Sequence, residues 1–391
     1  MGQSTKIGSG AMVDQMINFD IKISQSGIWE LLEKSIGNQK IGSAYLFSGP
    51  SGAGKEAMAI EYGAAINKAH FSADESLAEA SYMRFKTLQH ELLKLIVPLP
   101  VGKPQKDNGT ILESLNTADL ELLKDNIAQK STNPFHKIIL PNATRIRINS
   151  IRELRSTLYL KSDDIGRKFV LIFDAHLLTA GQAESANALL KILEEPPPNT
   201  TLILVTDNKN QLLPTILSRC QHIDFPPLTK EIIKDTLLKN EIDSELAELI
   251  AGISQGNMRR ALKISEEPIE NLITSINELA MSIIYIDGKI WRKFINDNAQ
   301  LVRNNLSKFR FNMFLLQLWF KSSYYLRIGV NTDLHRPELL KYLQNFNHKY
   351  PNADLQKIDI LLEDSIEANG RNLYMPLVLT NLLITIQKHL K

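Results

Sequence analysis

Residues 43–56 read SAYLFSGPSGAGKE. The apolar run SAYLFSG (43–49) predicts a short buried strand that leads directly into Gly49, Gly52, Gly54 and Lys55. EAMAIEYGAAINKA (56–69), small and apolar with nothing to break it, predicts a helix behind them. A strand, a glycine-rich turn ending in lysine and then a helix are the setting of a phosphate-binding loop. The glycines let backbone N–H groups turn inward on an anion, the helix N-terminus adds its positive end, and the lysine neutralises charge. Where such loops carry serine or threonine, this chain has Glu56. The hydroxyl gives a neutral oxygen to the magnesium ion that bridges the outer phosphates. A carboxylate there repels phosphate unless it reaches a metal. Its plain structural reading is an acid in the first turn of a helix, favoured by the dipole.

Outward from the loop, IWELLEKSIG (28–37) places Ile28, Leu31, Leu32 and Ile36 at helical spacing. LLKLIVPLP (92–100) and HKIILP (136–141) read as strands, and GKPQKDNGT (102–110) reads as a surface loop. INSIRELRSTLYLKS (148–162) predicts an amphipathic helix, and KFVLIFDAH (168–176) a buried strand. TAGQAESANALLKILEE (179–195) predicts a helix stopped by Pro196, Pro197 and Pro198. TTLILVT (200–206) is another buried strand, and LLPTILSRCQHIDF (212–225) leads to a last one. Apolar strands alternating with helices imply a parallel sheet covered on both faces, a three-layer αβα fold. After Pro226 and Pro227 the pattern is helical to the end.

The length, 391 residues, calls for two or three domains, and 43% hydrophobic with 23% charged residues marks a folded globular chain. A net charge of +2 announces no global basic field, so contact with nucleic acid would need a local patch. The single cysteine, Cys220, excludes a disulfide framework and a multi-thiolate zinc site, and fits a reducing cytoplasm. No apolar run is long enough to span a bilayer. Residues 1–24, opened by MGQSTKIGSGAM, read as a flexible leader.

The second acid of a phosphate-loop metal site belongs at the end of a neighbouring strand. In KFVLIFDAHLLT two registers are open: Asp174 ends the apolar run and takes that role, or Asp174 takes the place of a following acid and Phe173, which ligates nothing, stands at the metal position.

At ANALLKILEEPPPNTTLILVT (186–206) and LLPTILSRCQHIDF (212–225) the chain resembles bacterial DNA polymerase III clamp-loader subunits of the AAA+ class, over roughly residues 25–265. DAHLLT and LLPTILSRC are closer to the delta-prime type than to the gamma/tau motor. The resemblance implies an AAA+ domain at 25–227, a helical lid at 228–268 and an all-α collar at 269–391, whose end RNLYMPLVLTNLLITI (371–386) supplies. It implies that Arg219, in Ser218-Arg219-Cys220, is an arginine finger offered in trans to a neighbour's ATP. It also implies that Thr206 is the sensor-1 residue and Arg259, in GNMRRAL (256–262), the sensor-2 residue of the lid. Cys220 reads as a small buried residue, with no base beside it.

Two departures matter. The family carries a four-cysteine zinc module after the phosphate-loop helix, and INKAHFSADESLAEASYMRF (66–85) has no cysteine, so no zinc is expected. The loop also lacks its hydroxyl. The resulting expectation is a stator with little or no hydrolysis of its own, binding ATP weakly or not at all through Gly49, Gly52, Gly54, Lys55, Thr206 and Arg259. Its implied partners are the motor gamma/tau and delta subunits, with the sliding clamp and primer–template DNA through the complex, and no membrane. The alternatives are an active motor subunit, in which Glu56 and Asp174 hold metal, and a free-standing AAA+ repair or helicase-loading protein. In residues 291–327, Trp319, Phe320, Tyr324 and Tyr325 read either as a core stripe or as an oligomer contact.

Overall fold

A computed structural model describes residues 16–102, 110–159, 166–266, 268–331, 337–368 and 373–391. The polar stretch at 102–110 and the end of the helix expected at 148–162 fall largely or partly outside them. Two compact units are present, residues 1–242 with 254–262 and residues 243–253 with 263–391, so the division runs through the segment read as a lid.

In the first unit the chain forms α1 (Ile21–Ser24), α2 (Ser26–Gly37), β1 (Ala44–Ser48), α3 (Lys55–His70), α4 (Glu75–Lys86), β2 (Leu93–Ile96), α5 (Thr117–Thr132), α6 (Ile148–Leu158), β3 (Lys168–Ile172), α7 (Glu184–Glu194), β4 (Thr200–Thr206), α8 (Pro214–Leu217), β5 (Gln221–Asp224) and α9 (Lys230–Lys239). The five strands make one parallel sheet in the order β2-β3-β4-β1-β5. Strand periodicity sorts their side chains between two cores. Tyr45, Phe47, Phe169, Leu171, Ile203 and Val205 face the layer that contains α3. Leu46, Val170, Ile172, Leu202 and Leu204 face the layer built by α6 and α7. A strand covered on both faces needs apolar residues at every position, which is why β1 and β4 are buried throughout.

Several sequence expectations change. HKIILP forms no strand: Ile138 and Leu140 are buried, but the backbone N–H of Ile139 is taken by Asn126 Oδ1 at 3.2 Å instead of by a ladder. The helix expected at 179–195 starts at Glu184, because Gly181 (φ +77°) and Ala183 (φ +55°) bend the chain before it. Of the residues read as a leader, 16–24 are described, and they anchor to the domain at single points. Ile21 is buried in the core, and just after the leader Gln25 Nε2 donates to Ala53 O and Pro226 O, both at 3.0 Å. Five of the first dozen residues are glycine or serine, and their composition obscures the apolar residues further on.

The cysteine-free region folds as α4, capped by Asp74 and laid on α3. Glu61 of α3, almost fully buried, fastens it. Its carboxylate accepts from Tyr82 Oη at 2.8 Å and Lys86 Nζ at 2.6 Å, and lies 3.0 Å from Lys22 Nζ.

The second unit contains α10 (Ser244–Ser254), the end of α11 (Met258–Ser265), then α12 (Ile269–Ile284), α13 (Gly288–Asn304), α14 (Leu306–Arg327), α15 (Pro337–Lys349), α16 (Leu355–Ala368) and α17 (Met375–His389). Trp319 and Phe320 are core residues, packed with Phe346 at ring-centre distances of 4.9 and 5.9 Å. Tyr324 and Tyr325 are half-buried. The bundle uses the first two aromatics for its own interior.

Candidate functional site

Parallel sheets place their binding sites outside the carboxyl ends of the strands. Here β1 ends at Ser48, opposite Thr206 of β4 and Asp224 of β5. The loop 49–54 leaves from that edge. Gly49 has φ +141°, and a Cβ there would stand 2.3 Å from Phe225 O. Gly52 has φ +75°, and a Cβ there would lie 1.9 Å from Asn257 Oδ1. Both positions need glycine twice over, for their dihedrals and for the close approach of other backbone and side chain. Gly54, also left-handed, caps α3.

Lys55 opens α3 with its ammonium buried, donating to Gly49 O at 2.7 Å and Pro50 O at 2.6 Å, and pairing with Asp207 Oδ1 at 2.7 Å. Burial and pairing act against each other on this pair. On Lys55 burial prevails and lowers its pKa, despite Asp207 and Glu56. On Asp207 burial favours the neutral acid, but Lys55 and Lys137, with Arg259, outweigh it and hold the carboxyl at about 2.

Glu56 is more than a first-turn acid. One oxygen accepts a short hydrogen bond from Lys130 Nζ, and the other lies 3.7 Å from Arg259 Nη2. Lys130 is wholly buried, and its remaining donors go to Pro134 O at 2.7 Å and His136 O at 2.8 Å. A buried ammonium with every proton placed is tolerable only with such a partner. Arg259 also donates to Ser51 Oγ at 3.0 Å and Phe135 O at 2.9 Å, so the sensor-2 candidate does sit on the loop.

The two registers for the second acid look different in three dimensions. Phe173 is buried with the α3 layer, and Lys130 Nζ lies 5.4 Å from the centre of its ring. Asp174 adopts φ +51° and accepts from Lys137 Nζ at 2.7 Å. Burial opposes its ionisation, yet Lys137 more than offsets this and lowers its pKa. Thr206 is buried at the end of β4; its hydroxyl accepts from Asn208 N at 2.9 Å and lies 3.1 Å from His176 Nδ1.

Gly52, Gly54, Lys55, Glu56, Phe135, Asp207 and Arg259 surround a depression of about 20 Å³. That is room for about one water. Lys55 and Arg259, the cations that line it, face carboxylates of the chain itself, Asp207 and Glu56. Sequence reasoning did not single out Asp207, Lys130 or Lys137. Asp207 had a signal: it follows the last residue of the strand that pairs with β1.

Arg219 lies apart from this cluster, after α8. Its Nη2 is 2.8 Å from Glu194 Oε1 and its Nη1 donates to Thr215 O at 2.9 Å, with a third of the side chain exposed. Cys220 beside it is half-buried, and burial pushes its thiol up to about 12, which leaves it protonated at neutral pH. A second feature is a groove of about 290 Å³ between α6 and α7, lined by Arg152, Arg155, Lys191 and Glu184 around Ile148 and Ala188.

Fold and loop together define a phosphate-loop αβα module. The chain belongs to the family described as DNA polymerase III, delta subunit, whose pattern matches residues 24–229, just over half of it. It is 26% identical over 257 residues to DNA polymerase III subunit tau of Bacillus subtilis, a match covering 64% of this chain and 38% of that protein. It is 27% identical over 241 residues to the delta' subunit of the same organism, covering 62% and 59%. The chain thus spans less than two thirds of either relative. A gamma-subunit-related protein of Thermotoga maritima, of known structure, aligns with 18% identity and a TM-score of 0.41, covering 94% of this chain and 100% of that one. Among the described residues, no helix is long and apolar enough to cross a membrane.

Proposed function

We propose that this chain is a delta-prime-type stator of the sliding-clamp loader. It turns over little or no ATP itself and presents Arg219 to ATP bound by a neighbouring motor subunit. The observation that carries this reading is the internal neutralisation of the loop: Lys55 is engaged by Asp207, and Glu56 by Lys130. Arg219, in contrast, is held at the surface by an exposed partner that can release it. A guanidinium stays charged through any such exchange and stabilises the charge on a transferred phosphoryl group.

Its partners on this reading are the motor gamma/tau subunits, the delta subunit, the clamp and primer–template DNA. The α6–α7 groove, with three exposed cations against the one carboxylate of Glu184, has the net positive charge of a phosphate-backbone contact. The motor reading draws on the match to tau and requires both Glu56 and Asp174 to exchange their lysines for metal.

The test is reconstitution with motor and delta subunits, clamp and primed DNA. The chain alone shows no magnesium-dependent ATP turnover, and Arg219→Ala lowers the stimulated rate of the complex roughly a thousand-fold. Stimulated hydrolysis that survives Arg219→Ala, or brisk turnover by the isolated chain, overturns the proposal.

A further inference from the structure

The cations of the phosphate loop are met by carboxylates of the chain itself. Three separate contacts bring the start of α11 onto the phosphate loop. Met258 N donates to Gly52 O at 3.2 Å. Asn257 Oδ1 occupies the space a Cβ on Gly52 would need. Arg259 reaches Ser51 Oγ at 3.0 Å and faces Glu56 at 3.7 Å. Where a nucleotide-binding loop would use a phosphate to attract the lid arginine, the nearest anion here is the Glu56 carboxylate. It does not drift, because buried Lys130 holds its other oxygen and is itself tied to Pro134 O and His136 O. Asp207 does the same for Lys55. The three cations Lys55, Lys130 and Arg259 are thus met by two carboxylates of the chain itself; Lys55, Arg259 and both carboxylates line a space for about one water, and Lys130 is buried outside its lining.

We infer that Glu56 is an internal stand-in for a nucleotide phosphate, locking the first turn of α11 on the loop whether or not ATP is present. The inference rests on the stator reading and gives it a mechanism. In a motor, closure of this contact would follow nucleotide state; in this chain it is fixed by a covalently attached anion whose effective concentration never changes. The substitution at the eighth loop position then does two things. It removes a magnesium ligand, and it supplies the charge that makes the ligand unnecessary for closure.

The experiment is hydrogen–deuterium exchange on the full chain, following amides 256–262, with and without millimolar Mg-ATPγS. The wild type is protected there, and the nucleotide changes nothing. Two variants cut the link from opposite sides. Glu56→Gln/Lys130→Met removes both members of the buried pair together, so that no lone charge is left inside. Arg259→Gln removes the cation on α11. Each speeds exchange at 256–262 by about ten-fold or more while the β1 amides 44–48 stay protected, which certifies that the sheet is folded. Unchanged exchange in both variants, or new protection of the wild type by Mg-ATPγS, overturns the lock. These outcomes are independent of the Arg219→Ala result, so the stator reading and the lock fail separately.

Discussion

Glu194 Oε1 lies 2.8 Å from Arg219 Nη2, which joins the first of the two acids before the three prolines to the arginine of Ser218-Arg219-Cys220. The two stretches that carry most of the family resemblance are therefore one structural unit. Glu194 ends α7 and Arg219 follows α8, and both helices pack in the same layer of the first unit. The guanidinium is aimed by one carboxylate and by Thr215 O, and it keeps donors free for a further anion.

On the stator reading, Glu194 positions Arg219 without being essential to it. An exposed pair of this kind contributes at most about 1 kcal/mol, so Glu194→Ala lowers stimulated ATP hydrolysis by the reconstituted complex no more than about five-fold. Steady-state turnover beside Arg219→Ala measures the difference. An equal loss in the two variants contradicts a merely positioning role.

Glu61 is the fastening point of α4 on α3. Glu61→Ala leaves Lys86, Lys22 and Tyr82 without their common acceptor. The carboxylate is almost fully buried but both lysines are about a third exposed, so the expected cost is about 2 kcal/mol, below that of a wholly buried pair. Urea denaturation at neutral pH reads it as a lower midpoint with an unchanged slope.

His136 is pressed by burial, then by Lys130 and Arg259, down to about 4 from its ordinary 6.5. Its ring lies 3.0 Å from Asn126 Oδ1, so the neutral form donates from Nε2. Between those values the unfolded chain takes up the proton and the folded chain does not. The contribution of His136 is therefore complete above about 6.5 and is lost as pH falls toward 4. Thermal melts show a decline over that window, and His136→Gln flattens it while leaving the neutral-pH melt less affected.

In the helical unit, Trp319 is fully buried while its indole N–H finds no hydrogen-bond partner among the described residues. Trp319→Ala opens a large cavity beside Phe320 and Phe346 and costs about 4 kcal/mol. Trp319→Phe also loses volume but discards the unsatisfied donor, so it costs about 1–2 kcal/mol. Denaturation midpoints of the two variants give the comparison.

The strands β1, β3 and β4 were legible because each must be apolar on both faces, and so was the glycine loop, because its dihedrals admit few residues. HKIILP misled for a related reason. Burial of Ile138 and Leu140 resembles a strand, yet the sheet edge beside β3 is already taken by β2. The phosphate-loop residues and Arg259 were found from their motifs, and they do gather in one place. Their partners were not found, since Asp207, Lys130 and Lys137 belong to no pattern of local spacing.

The order of strands and helices, the loop and the missing hydroxyl are properties of the chain read along its length, where periodicity and steric demand act between near neighbours. The charge state and closure of the loop are not. Glu56 meets Lys130 across 74 positions and Arg259 meets Ser51 across 208. Long side chains bring such ions together only after the backbone has folded, and no repeat in the sequence marks which cation will find which carboxylate.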